Sequence, residues 1–131
     1  MSSLPAEELS SLVVVEEVRG RTCLVTVVRF LSKKLMELAD VERIGAQLYR
    51  LVDDDRCANL LVNFGDVQVV SSYLLGRLLG VHKRISKAKG RVALCQISAQ
   101  TNPVVYECFT VTGLNKVFDI YATEQEALQT F

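Results

Sequence analysis

No tryptophan, two prolines and a single histidine, His82, occur in a chain of 131 residues, and fifteen Lys and Arg are matched by fifteen Asp and Glu. A formal net charge of zero argues against a general nucleic-acid binder, which needs an excess of cations to neutralise phosphates. It argues equally against electrostatic docking on an anionic membrane. Apolar runs such as Leu12 to Val15 are far too short to span a bilayer. Met1 to Ser11 holds two glutamates and no apolar core, so a secretory signal is not expected. No two of the cysteines, Cys23, Cys57, Cys95 and Cys108, form a CxxC pair. Each has apolar neighbours, so all four are expected to be reduced core side chains, with no zinc site and no redox pair. A lone histidine with no Cys or carboxylate motif beside it leaves little material for a hydrolytic centre. These absences favour an intracellular, cytoplasmic binding or switch module over an enzyme.

Half of the residues are apolar and 23% are charged, which excludes intrinsic disorder. The length suits one domain with its own core. Residues 1–11 read as a polar lead-in and residues 12–131 as the domain. Leu12 to Val18 and Thr22 to Phe30 are rich in β-formers around Arg19-Gly20-Arg21, the pattern of a β-hairpin. Asp40 is placed to cap a helix whose apolar stripe is Val41, Ile44, Leu48, Leu51 and Val52. That helix ends in Asp53-Asp54-Asp55, which lacks the spacing and late Glu of a calcium loop and reads as a solvated acidic turn. Leu60 to Phe64 fits a strand buried on both faces. A second helix is expected over about Tyr73–Lys87, with the stripe Leu74, Leu75, Leu78, Leu79, His82 and Ile85. Gly76 and Gly80, four apart, suggest close approach to another backbone, and Gly90 is placed as a left-handed cap. Arg91 to Ile97 reads as a strand. Asn102-Pro103 opens a third helix that stops at Gly113, followed by a strand over Val117 to Ile120. Thr123 and Glu126 form a capping box for a last helix.

The order β-β-α-β-α-β-α-β-α implies an α/β fold: a mixed sheet of four to five strands packed with about four helices. Leu61, Val62, Leu78, Leu79, Leu94 and Phe109 are expected in the core, with Tyr106 beside them. Lys83, Arg84, Lys87, Lys89 and Arg91 read as a solvated, dipole-complementing helix end.

The segment richest in chemistry is LLVNFGDVQVVSSYLLGRLLGVHKR, Leu60 to Arg84. A buried strand ends, a loop comes next, and two serines sit at a helix start whose free amides favour negative charge. Ser71 or Ser72 serves there as a plain helix cap or as a phosphate acceptor.

The same segment, with GRVALCQI, VTGLNKVFDIY and TEQEAL, resembles the STAS domains of the anti-sigma-factor antagonist family from about Leu12 to Phe131. The family pattern is a buried strand, a short loop and an Asp-Ser-Ser/Thr-Gly-Leu-Gly-like start to a leucine-rich helix. Gly-Leu-x-x-x-Phe after a later helix matches Gly113-Leu114 and Phe118. Alignment places Ser71 at the family's Asp, Ser72 at its phosphorylated Ser, Tyr73 at the second hydroxyl, Leu74 at the Gly and Gly76 at the later Gly. Asn63 stands where many members have Asp. The resemblance implies a switch protein that binds an anti-sigma factor, itself a serine kinase carrying the ATP, and so frees a sigma factor for transcription. Phosphorylation at Ser72, with Ser71 as the alternative, would end the interaction. The implied partner surface is Asp66, Ser71, Ser72, Tyr73 and Arg77, with no cofactor or metal of its own. The alternative is a small-molecule-binding or scaffold STAS domain without phospho-switching.

Overall fold

The structure, a computed structural model, describes residues 12–131; the lead-in expected over residues 1–11 lies outside them. Seven strands and four α-helices form among the described residues: β1 (Val13–Arg19), β2 (Leu24–Phe30), β3 (Lys34–Leu35), α1 (Leu38–Asp53), β4 (Asn59–Asn63), β5 (Val69–Val70), α2 (Ser72–Lys87), β6 (Arg91–Cys95), α3 (Pro103–Val111), β7 (Asp119–Tyr121) and α4 (Glu124–Leu128). The main sheet runs β1-β2-β4-β6-β7, with β1 antiparallel to β2 and the other neighbours parallel. The expected mixed five-stranded sheet with four helices is therefore present. A separate parallel pair, β3 with β5, was not foreseen: two residues each give no periodicity to read.

The opening hairpin pairs Val13 with Phe30 through to Arg19 with Leu24. Its turn is longer than expected, closing on a bond from the Gly20 amide to the Cys23 carbonyl (2.7 Å). Thr22 and Cys23 leave the second strand because they hold the Phe131 carbonyl: the Thr22 hydroxyl donates at 2.6 Å and the Cys23 thiol at 3.2 Å.

Strand β4 is apolar throughout because both its faces are covered. Leu60 and Val62 join the larger core under α1, α2 and α3, and Leu61 joins a smaller one with Val25, Val27, Ala93, Cys95, Ala127 and Phe131 on the α4 side. Phe64 sits at the centre of an edge-to-face row, 5.0 Å from Phe30 and 5.8 Å from Phe109. Leu61, Val62, Leu78, Leu94 and Phe109 are all fully buried, as expected. Leu79 is half-buried, its place on the stripe taken by the buried Val81, and Tyr106 is exposed. All four cysteines are free thiols, Cys57 and Cys95 buried, Cys23 and Cys108 half-buried.

Four local expectations change. Helix α1 starts before Asp40: Glu37 is its N-cap, without a side-chain bond, since β3 ends at Leu35 and the chain turns into the helix at once. Asp40 instead lies in the first turn, where its charge suits the helix dipole. Gly76 and Gly80 do not share a contact. The line of contact with α1 passes Arg77, Gly80 and Arg84, which meet Glu42, Tyr49 and Asp53, and Gly76 is turned away from it. After α2, the left-handed position belongs to Lys89 (φ 63), one residue before Gly90. A Cβ on Gly90 would strike the Ala58 carbonyl and lie 2.9 Å from Ile85, so that glycine serves packing. Finally, Asn102 is the N-cap residue of α3 and Pro103 opens the helix as expected, but the Asn102 side chain makes no cap bond.

Two substitutions check the α2–β6 turn by chemical unfolding. Gly90→Ala should cost about 1–3 kcal/mol through the forced contact with Ala58. Lys89→Gly should stabilise by up to about 1 kcal/mol by relieving the left-handed strain.

Candidate functional site

The buried run of β4 ends at Asn63, and a small set of backbone bonds holds the loop from there to α2. The Phe64 amide donates to the Cys95 carbonyl (3.0 Å), and the Val67 amide returns to the Phe64 carbonyl (2.9 Å), closing a turn. Asp66 is exposed in that turn. The Gln68 and Val69 amides donate to Lys33 (2.7 and 3.1 Å), and the Ser71 amide donates to Leu35 (2.9 Å). Thus β3 fixes where α2 begins.

Two fully or largely buried asparagines secure the turn. Asn102, with no exposed surface, sends its amide nitrogen to the carbonyls of Phe64 (3.1 Å), Val67 (3.3 Å) and Gln96 (2.9 Å) and accepts from the Ser98 amide (3.0 Å). Its role there, not at a helix cap, was unreadable because Phe64 and Val67 lie far away in sequence. Asn63 accepts from the Gly65 amide (2.7 Å) and donates to Glu124 (2.8 Å). Glu124 holds Arg29 through both carboxylate oxygens (2.9 and 2.7 Å), and Arg29 also pairs with Glu16. Burial disfavours the Arg29 charge, yet the bond to Glu16 and the Glu124 charge more than offset it and leave its pKa above the usual value. Arg29, Asn63, Cys95 and Tyr121 stand opposite one another across β2, β4, β6 and β7, so the polar row crosses the sheet.

The two serines are not equivalent. Ser71, 8% exposed, is the N-cap of α2, and its hydroxyl accepts from the Leu74 amide at 3.4 Å. Ser72 is exposed at the first helical position. Tyr73 beside it is 57% exposed. The starts of α1 and α2 follow the paired strands β3 and β5, and Arg77 joins the two helices through Glu42. Leu38 and Met36, at the start of α1, are also exposed. Arg77 is turned toward α1, its stem against Gly45 and its guanidinium on Glu42, whose hydrogen bond holds the Arg77 pKa up. Ser71, Ser72 and Tyr73 therefore stand together at the α2 start, Asp66 is exposed in the turn before β5, and Arg77 ties the two helices.

The remaining candidates lie elsewhere. His82 packs edge to face on Phe118 (5.2 Å), about 15 Å along α2 from Ser72. The basic cluster is not wholly solvated. Arg84 pairs with Asp53 over the Tyr49 ring (4.2 Å), and Arg91 bonds Asp119 and the Tyr121 hydroxyl, both at 3.0 Å, over Phe131. Lys83, Lys87 and Lys89 are exposed. Asp53 is thus paired, and Asp54 and Asp55 are left in solvent. Among the described residues no group of three His, Cys, Asp or Glu is placed to hold a metal ion, and no helix is long and apolar enough to cross a membrane. What the α2 start offers chemically is one accessible primary hydroxyl on a rigid frame.

Comparison with known proteins agrees with this architecture. The family model of the STAS domain matches residues 15–127. An anti-sigma F factor antagonist from Paenibacillus polymyxa is 28% identical over 87 residues, covering 66% of this chain and 71% of that protein. A solved anti-sigma-factor antagonist (STAS) domain protein from Planctomyces limnophilus superposes with a TM-score of 0.72 at 27% identity, over 88% of this chain and 93% of that one. The phosphorylated form of the Bacillus cell fate determinant SpoIIAA shares the fold, with a TM-score of 0.65 at 24% identity over 88% of this chain and 96% of its own.

The polar row makes two expectations measurable. Asn63→Asp sets a second carboxylate against Glu124 and should cost about 1–3 kcal/mol at neutral pH. Adding Glu124→Gln, which can donate to the new acid, should recover part of that loss in urea unfolding. Cys95 is the second: burial, then the Glu124 charge, push its pKa up to about 12. With so little thiolate it should resist alkylation in the native protein, while the half-buried Cys23 and Cys108 react first. Time-resolved peptide mass spectrometry reads the order.

Proposed function

The chain belongs to the STAS domain family, and from that premise we propose that it is an anti-sigma-factor antagonist switched off by phosphorylation of Ser72. Unmodified, it binds an anti-sigma factor through the α2 start, where Tyr73 is exposed beside Ser72, and so frees a sigma factor. The partner is a serine kinase that holds the ATP. The Ser72 oxygen attacks the γ-phosphorus; a new O–P bond forms, the bond to the departing ADP breaks, and the hydroxyl proton passes to a base of the kinase. The Paenibacillus relative, an anti-sigma F factor antagonist, supports the partner class. The fold shared with a protein known in a phosphorylated form supports the modification.

The observation that carries the reading is the division of labour between adjacent serines. Ser71 is buried and committed to capping, so its hydroxyl is poorly placed for transfer. Ser72 is exposed, next to amides that the first turn leaves without intrahelical partners. A phosphate there adds a charge of about −1.5 to −2 to the contact surface, where desolvating it opposes rebinding. It also meets the positive end of the helix dipole, worth about 0.3–1 kcal/mol to a surface anion, so the domain stays folded.

The test uses each anti-sigma-factor serine kinase of the host, purified and incubated with labelled ATP. Wild type and Ser71→Ala should be labelled and Ser72→Ala should not, while Ser72→Ala still binds the unreacted kinase. Ser72→Asp should weaken binding, though less than phosphate does. Label retained on Ser72→Ala and lost on Ser71→Ala moves the acceptor by one residue. Absence of label and of binding in all proteins, with active kinases, overturns the reading.

A further inference from the structure

At the opposite end of β4 from the loop that leads to Ser72, the sheet has an uncovered corner. Side chains alternate along a strand, so Val13 and Val15 of β1 share a face with Val28, the partner of Val15 in β2. Val13 and Val28 are buried in the larger core, but α1 stops at Asp53, and farther along the hairpin Val15 and Leu24 are 39% and 52% exposed. The loop from α1 into β4 closes the other side of this corner. Between them lies a cleft of about 370 Å³, at the lower end of the range for small-molecule sites, roughly 300–1,000 Å³. Val15, Leu24 and Leu51 supply apolar walls, and Glu17, Asp55 and Arg56 supply charge. The buried Cys57 also lines it, its thiol donating to the Asn59 carbonyl at 3.4 Å. The walls are fastened together: the Cys57 amide donates to the Leu51 carbonyl (2.9 Å), and the Asn59 side chain donates to the Leu24 carbonyl (3.5 Å).

The charges of this cleft are unspent. Among the described residues Glu17, Asp55 and Arg56 form no ion pair, unlike Glu16, Glu42, Asp53, Asp119 and Glu124. Burial, then the Asp55 and Glu17 charges, raise the pKa of the Cys57 thiol, so the fields of both carboxylates reach the same point. The C-terminal end of α1, the negative pole of its dipole, lies beside them. We propose that this cleft binds a small molecule that carries a protonated amine on an apolar body. The ammonium sits against Glu17 and Asp55, and the body covers the exposed Val15 and Leu24 beside Leu51. Arg56 on the same lining admits a carboxylate as well, so a simple amine and an amino acid share the recognised chemistry. The site involves neither Ser72 nor a kinase and stands apart from the phosphorylation reading.

The test titrates the full chain with phenethylamine, phenylalanine and hydrocinnamate, which carry the same ring with an amine, with an amine and a carboxylate, and with a carboxylate alone. Amide NMR shifts report place and affinity. Phenethylamine should saturate with a Kd of about 1 mM, a fair value for so few atoms, and should shift the amides of Leu24, Thr26, Cys57 and Asn59. Hydrocinnamate should not bind there. Phenylalanine binding more tightly than the amine assigns its carboxylate to Arg56; binding more weakly makes the simple amine the ligand. Glu17→Gln and Asp55→Asn, both at exposed positions, should each raise the Kd about fivefold, and Asp54→Asn, outside the lining, should leave it unchanged. Hydrocinnamate binding as well as the amine, shifts centred away from the cleft, a Kd unmoved by both lining variants, or no saturable binding would each overturn the proposal.

Discussion

Strand β4 is buried on both faces, and its backbone polar groups must still be satisfied where the strand ends and water does not reach. That requirement governs the active end of the molecule. Asn102 collects the carbonyls of Phe64, Val67 and Gln96 at one point, and Asn63 takes the Gly65 amide. A buried carbonyl without a partner costs about 1–3 kcal/mol, so losing either asparagine would release the 64–67 turn. The turn sets the entry of β5, β5 pairs with β3, and the Ser71 amide bonded to Leu35 sets the first residue of α2. The position of Ser72 is thus fixed by interactions in the interior, although the residue itself is on the surface.

The same end of the sheet carries a polar row that crosses to α4. Glu124 is shared by Asn63 and Arg29, and the backbone of its helix is secured by the reciprocal Thr123–Glu126 capping box. Asparagine at position 63 suits this arrangement because an amide offers both a donor for Glu124 and an acceptor for Gly65, whereas a carboxylate offers only acceptors. The departure from the family pattern at this position therefore has a local cause: the carboxylate is supplied by α4.

How far the sequence disclosed this depends on the range of each interaction. The stripe of α1, the leucines of α2, the apolar run of β4 and the capping box at Thr123 are local patterns, and each formed its element. Errors arose where a distant contact outweighed a local preference. Lys89 takes the left-handed turn because Gly90 is needed against Ala58. Thr22 leaves its strand to hold Phe131. Asn102, next to Pro103, has the local look of a cap and spends its side chain on distant carbonyls. At the site, the pair of serines and the exposure of Ser72 were legible, but the burial of Ser71 in the cap was not. That burial rests on β3, two residues whose pairing leaves no mark in the sequence.

The two serines also separate stability from signalling. The bond from the Leu74 amide to Ser71 and the burial of Leu74 anchor the first turn of α2, and neither involves the Ser72 side chain. Charge added at Ser72 therefore acts on the surface while the cap that holds the helix is untouched. On the proposed reading Ser71, which stands where the family has an acid, keeps the cap through the Leu74 amide while Ser72 takes the phosphate. The modified and unmodified domains then share one fold and differ in what their exposed α2 face can contact, so the free energy of the phosphate is felt by the partner and not by the core.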